Sequence, residues 1–242
     1  MADESKNLEK NIHSAQTSIL RELLFQPSAG FSELQKPTGL DSDHFKFHIA
    51  RLVELRYVAK NQDGGYSLTT RGKEYANRLD TDNNTLEKQP KSSILIMATR
   101  GAGDSVEVLL QQRLKQPFYG YWCRAGGKIR WGETVVQAAE RELFEEMGLT
   151  ATVEIKGVYH KIDKRNEDGA LLEDKLFYIA SCTDLKGQLI EEFEGGKNAW
   201  LRVEEIKKQP KKFEGIESHH EKYQGEEFLF EEQVHWYDGA DY

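Results

Sequence analysis

The sequence predicts an α/β protein of two domains, and three observations carry that prediction. The first third of the chain is filled by apolar residues at helical spacing. The polar stretch DTDNNTLEKQPK, from Asp80 to Lys91, then carries no apolar period and reads as a linker. Beyond it, strand-like runs alternate with helical ones, the pattern of a compact α/β layer structure. The expected layout is a small domain over 1–80, a linker over 81–91 and a larger domain over 92–242.

In the first domain the expected order is three helices, a hairpin and a fourth helix. Ala15, Ile19 and Leu23 recur every four residues, and Phe45, Ile49, Leu52 and Val53 repeat that stripe. Between them, SAGFSELQKPTGLDSD carries Gly, Pro and Ser punctuation around a short helix at 31–35. YVAKNQDGGYSLTTRG gives two short strands around Asp63-Gly64-Gly65, a hairpin signal, and a helix is expected from Thr70 to about Leu79.

In the second domain, SSILIMA and VEVLLQQRL predict strands joined by the turn TRGAGDS. A helix follows over 134–147, then strands at VEIKGVYHKI and DKLFYIASC, and a strand entering a short helix at NAWLRVEEIKK. EEFLFEEQVHWYD is expected to be a terminal helix.

Composition narrows the classes. The chain has 242 residues, 38% hydrophobic and 31% charged, enough for a sizeable core. No apolar run approaches the roughly 18 residues of a membrane span. The polar start MADESKNLEK is unlike a secretory signal, and two cysteines make no disulfide framework, so a cytoplasmic setting is expected. A net charge of −8 gives no global attraction to nucleic acid or anionic lipid.

The helix over 134–147 carries the chemistry. Thr134 is placed to cap it and Gln137 to complete a capping box. Val135, Val136, Ala139, Leu143 and Met147 supply an apolar face, and Gly148 suits the left-handed residue that ends a helix. Glu142, Glu145 and Glu146 stand at i, i+3 and i+4 on one face. Like charges there repel, and acids at a helix C-terminus oppose its dipole. A hard divalent cation removes the repulsion, and oxygen-only ligation suits Mg²⁺ or Mn²⁺ better than zinc.

The spacing is also a motif. Gly127, Glu133, then Arg141-Glu142-Leu143-Phe144-Glu145-Glu146-Met147-Gly148-Leu149 resembles the signature of the Nudix hydrolases at every fixed position. The resemblance extends from about Ser92 to at least Ile206, with Trp200-Leu201 placed like the family's strand after the box. It implies the Nudix α/β/α sandwich and cleavage of a nucleoside diphosphate linked to another group. It makes Glu142, Glu145 and Glu146 metal ligands, with the Gly126 carbonyl as a further one. Arg141 would orient the carboxylates, and Glu133 would assist it. Where the family usually has Pro-Gly-Gly, this chain has Ala125-Gly126-Gly127, which loosens the loop but removes no functional group. A further acid outside the box often completes the site; Glu191, Glu192 and Glu194 are equal candidates.

Flanking the box, Arg113, Tyr121 and Arg124 are candidate contacts to phosphate or base, while Trp122 reads equally as core and Cys123 as structural. ESHHEKYQGEE reads as a solvated loop rather than a zinc site.

Residues 12–80 resemble a winged helix-turn-helix domain, on phrases such as FKFHIARLVELRYVAK and YSLTTRGKEY. That resemblance implies a DNA partner, with Lys46, Arg51 and Lys60 as phosphate contacts; packing or homodimerisation is the alternative. Residues 1–90 hold 12 Lys and Arg against 13 Asp and Glu, and Asp41 and Asp43 open the presumed recognition helix, an unusual footprint for a DNA reader.

Overall fold

A computed structural model describes residues 12–242 of the chain. The boundary between two compact units falls between Lys88 and Gln89. The stretch expected as a linker is divided between them. Leu79–Asp80 (β3) pairs with Thr85–Leu86 (β4) in a small hairpin of the first unit, and Lys91 already opens a long strand of the second.

The first unit has the expected order: Ser14–Phe25 (α1), Phe31–Gln35 (α2), a 3₁₀ turn at Lys36–Thr38, Ser42–Glu54 (α3), Val58–Lys60 (β1), Tyr66–Leu68 (β2) and Thr70–Ala76 (α4). Helix α4 ends earlier than expected, because Leu79 enters β3. Ile19, Leu20, Leu23, Leu34, Phe45, Ile49 and Leu52 form the core between the helices, with Tyr57 and Tyr75 packed on them. Val53, expected on that stripe, is exposed. In the hairpin, Asp63 accepts a hydrogen bond from the Gly65 amide at 2.9 Å, and Gly64 takes positive φ.

The second unit is built on one mixed sheet. Its strands are Lys91–Arg100 (β5), Glu107–Arg113 (β6), Trp122–Cys123 (β7), Leu149–Arg165 (β8), Leu171–Gly187 (β9), Glu192–Phe193 (β10), Gly196–Arg202 (β11) and Leu229–Tyr237 (β12). They lie in the order β10-β11-β6-β5-β9-β8-β12, with β7 beside β6. Strand β12 replaces the expected terminal helix. It runs parallel to β8 from Leu229↔Gly157 to Tyr237↔Arg165.

The box helix, Val135–Met147 (α5), covers one face of the sheet. Ala138, Ala139, Leu143 and Met147 pack on Ile94, Ile96 and Ala98 of β5 and on Ala180 and Cys182 of β9. Val136, expected on that apolar face, is exposed. The alternate residues Leu95 and Met97 face the other way, with Ile179, Tyr159 and Tyr223. That second face is covered by Val203–Lys207 (α6), His219–Lys222 (α7) and the chain around Phe213 and Ile216. The result is an α/β/α sandwich.

Strands β5 and β6 pair only at Thr99↔Val108 and Arg100↔Glu107, then splay apart. The chain from Trp122 to Ile129 fills the wedge. Its first part pairs with β6, and the carbonyls of Ala125 and Gly127 accept from the amides of Ile96 and Ile94, both at 2.8 Å. This insertion sets the functional loop against the sheet.

Candidate functional site

The box helix begins and ends as its residues dictate. Thr134 accepts from the Gln137 amide at 3.2 Å, the Gln137 side chain accepts from the Thr134 amide at 2.9 Å, and Gly148 closes the helix at φ 69°. Both loop glycines are needed for close approach. A Cβ on Gly126 would meet the Ile94 carbonyl oxygen at 2.1 Å; one on Gly127 would meet Glu142 Oε1 at 2.1 Å. The Glu142 carboxylate therefore occupies the space that a side chain at 127 would fill.

Arg141 organises the carboxylates. Its Nε and Nη2 donate to the two oxygens of Glu133 at 2.6 and 2.9 Å, and Nη1 donates to Glu142 at 2.5 Å and to Glu145 at 3.3 Å. Nη2 also donates to the Lys128 carbonyl at 3.1 Å, tying helix to loop. The bidentate bond to Arg141 holds the Glu133 carboxyl down to about 2. In return Glu133, and then Glu142, hold the Arg141 proton more tightly than in a free guanidinium. Glu145 is shared with Arg130 at 3.1 Å. Glu146 accepts from Gln111 of β6 at 2.9 Å, and its carboxyl is pushed up by burial, against the pull of the Gln111 hydrogen bond and with help from Glu142. Asn198 of β11 accepts from Gln111 at 3.3 Å and donates to the Glu146 carbonyl at 2.8 Å, so β6, β11 and α5 share one polar seam.

The structure thus brings Glu133, Arg141, Glu142 and Glu145 into one network and sets Glu146 on Gln111 beside it. It does not gather the glutamates at one point as the helix spacing predicts. Among the described residues, no three His, Cys, Asp or Glu side chains are placed to hold a metal ion. Arg141 holds Glu142 and Glu145, while Gln111 holds Glu146. The donor chemistry still fits a hard cation. All donors are oxygens, Glu146 is partly buried among like charges, and the Gly126 carbonyl stands outside the ladder formed by Ala125 and Gly127.

A cavity of about 380 Å³ lies on the other side of the glycine pair. Gln111, Cys123, Gly126, Gly127 and Lys128 form the wall it shares with the carboxylate network. Its floor is the sheet, read at period two: Lys91, Ser93 and Leu95 of β5; Glu173, Lys175 and Phe177 of β9; Tyr159, Lys161 and Asp163 of β8. Register places Lys91 opposite Lys175, and Lys175 opposite Lys161. Three like charges in a row across adjacent strands oppose one another. Glu173 offsets them from the next row, at 2.9 Å from Lys91 and 3.5 Å from Lys175, and Asp163 pairs with Lys161. Burial lowers the proton affinity of both Lys161 and Lys175. None of these floor residues is singled out in the sequence.

The flanking candidates separate. Arg113 lines the cavity and donates from Nε to the Pro117 carbonyl at 2.9 Å. Arg124 lines it too and is 3% exposed. Tyr121 is instead buried among Phe118 and Phe213, ring centres 5.5 and 5.3 Å away, off the cavity wall. The reason is its neighbour Phe118, which takes the wall position. Trp122 joins the core with Val108 and Leu110. Cys123 lines the wall, its thiol pushed up to about 11 by burial. Glu191, Glu192 and Glu194 are exposed around the β10–β11 hairpin, off the cavity wall, and Glu192 pairs with Lys197 at 3.0 Å. The segment expected as a solvated loop forms α7 and buries His220.

The NUDIX domain family matches residues 88–221, more than half of the chain. An uncharacterized Nudix hydrolase of Bacillus subtilis, YvcI, is 31% identical over 98 residues, 40% of this chain. The chain spans 61% of the length of that relative. An ADP-ribose pyrophosphatase of Methanocaldococcus jannaschii is 41% identical over 59 residues, 24% of this chain and 35% of that protein. Among solved structures, a MutT protein from Bacillus halodurans covers 63% of this chain and 93% of its own, at 21% identity and a TM-score of 0.48.

Proposed function

The chain belongs to the Nudix hydrolase family, whose members act on pyrophosphate bonds, and from that premise we propose that it cleaves a nucleoside diphosphate linked to another group, of nucleotide-sugar, ADP-ribose or dinucleotide type, with Mg²⁺ or Mn²⁺. The observation that carries this reading is the cavity with seven basic and three acidic wall residues, lined in part by Gly127, against which the Glu142 carboxylate packs. Glu142, Glu145, Glu146 and the Gly126 carbonyl would hold the cation, which supplies charge neutralisation and an acidified water. Arg141 and Glu133 keep the carboxylate face in place, and Gln111 orients Glu146. Arg113 and the lysines receive phosphate charge, and Phe118, Tyr159 and Phe177 offer rings to a base. One glutamate of the set takes the proton of the attacking water. Nucleotide-sugars, ADP-ribose, dinucleotides and nucleoside triphosphates should be screened with Mg²⁺. Turnover is expected with a pyrophosphate-linked compound and should vanish in chelator; undiminished turnover in chelator would refute the metal.

A second reading adds a nucleotide-sensing DNA-binding role for the first unit, a winged helix in this proposal. Its support is the order of elements and the exposed Lys46 and Lys60. Against it, Arg51 is engaged with Glu54 at 2.6 Å and His44 with Asp41 at 2.6 Å. If DNA is bound, affinity for duplex should fall with rising salt and with Lys46→Ala and Lys60→Ala, because each phosphate contact releases counterions. Absence of salt-sensitive binding assigns the unit to packing or homodimerisation.

A further inference from the structure

We infer that Arg124 is a binding residue for a phosphomonoester that the substrate carries away from the bond being cut. The inference rests on the hydrolytic reading above and narrows its substrate class to pyrophosphate conjugates bearing a further phosphate.

The placement follows from chain alternation. Ala125 buries its methyl against the core under α5, so its neighbour Arg124 turns to the other side, into the cavity. There the side chain is 3% exposed. Nη2 donates to the Ile216 carbonyl at 3.0 Å, while Nε and Nη1 are buried with no hydrogen-bond partner among the described residues. The acids of the cavity wall are committed elsewhere: Asp163 to Lys161, Glu173 to Lys91 and Lys175, and Glu214 to His235 at 2.9 Å.

A buried cation with open donors and no anion is costly, and proteins seldom keep one without a use. A neutral acceptor would fill the donors but leave the charge. Ile216 already supplies one such acceptor, and the remaining donors and the charge stay uncompensated. The neighbouring His219 ring, edge-on to Tyr159 at 5.7 Å, is driven down to about 3 by burial and then by Arg124. It stays neutral, and so adds no second cation and no competing anion. A phosphate oxyanion satisfies donors and charge together.

The test uses two matched pairs that differ by one phosphomonoester: NADP⁺ with NAD⁺, and coenzyme A with dephospho-coenzyme A. Turnover with Mg²⁺ is measured on the full chain, and binding is measured by calorimetry on the Glu146→Gln chain, which should hold these compounds uncut. The phosphorylated member of at least one pair should be preferred at least about tenfold. Arg124→Met should erase that preference, and Arg124→Lys should retain part of it. Without ligand, Arg124→Met should melt no lower than the wild type, because it removes an unpaired buried charge. Equal binding within both pairs overturns the inference, as does an Arg124→Met loss shared equally by both members. A drop in Tm for Arg124→Met and Arg124→Lys alike, with the preference intact, makes the residue structural and also overturns it. If no compound is turned over, the hydrolytic reading fails, and the calorimetric preference still decides the role of Arg124.

Discussion

Glu146→Gln is expected to lower kcat by at least about 100-fold while the protein melts at the same temperature or higher. The substitution keeps the shape of the side chain. Its amide oxygen can still accept from Gln111, which now donates to Glu146 at 2.9 Å. What disappears is a carboxylate that burial and Glu142 already disfavour, so the fold loses nothing and the helix face loses repulsion. Glu142→Gln should behave differently. Glu142 accepts from Arg141 at 2.5 Å and fills the space left by Gly127, so this variant should lose both kcat and Tm. Steady-state kinetics with Mg²⁺, with thermal melts of both variants, separate the two roles. A near-normal kcat for Glu146→Gln would move the catalytic centre away from α5.

The parts of this fold set by local chemistry were legible in the sequence, and the parts set by strand register were not. The bounds of α5 follow from a cap, a capping box and a terminal glycine, all within one segment. The terminal strand shows the opposite case. In LFEEQVHWY each alternate set mixes apolar and polar residues, Leu229 and Tyr237 with Glu231 and Gln233, Phe230 and Trp236 with Glu232. No period decides such a run, and pairing with β8 made it a strand. The cavity floor was equally hidden. Lys91, Lys161 and Lys175 become neighbours only because β5, β9 and β8 pair in one register across 84 positions of sequence. Of the residues chosen by proximity to the box, Arg113 and Arg124 line the cavity, while Tyr121 lies off its wall, packed on Phe118, which lines it. Helix spacing puts the three carboxylates on one face, and partners on other segments, Gln111 and Arg130, set where Glu146 and Glu145 point.

The two loop glycines should fail in different ways. A Cβ at 126 meets backbone, the Ile94 carbonyl oxygen at 2.1 Å and its carbon at 3.1 Å. Neither atom can swing aside, so Gly126→Ala must push the loop off β5 and strain the ladder through Ala125 and Gly127. A loss of roughly 1–3 kcal/mol is expected for such overpacking, read as a lower midpoint in urea. A Cβ at 127 meets only the end of a side chain, the Glu142 carboxylate, at 2.1 to 2.6 Å. That carboxylate can rotate away, so Gly127→Ala should cost less stability than Gly126→Ala. Rotation breaks the bond from Arg141, and with it the placement of a glutamate in the catalytic set. Misplacement of a catalytic group by about 1 Å is worth on the order of 100-fold in rate. Gly127→Ala is therefore expected to lose on the order of 100-fold in kcat with a modest change in midpoint, and Gly126→Ala to lose stability foremost. Equal stability losses would mean that Glu142 cannot move, and a Gly127→Ala enzyme of normal kcat would mean that its present position is not the working one.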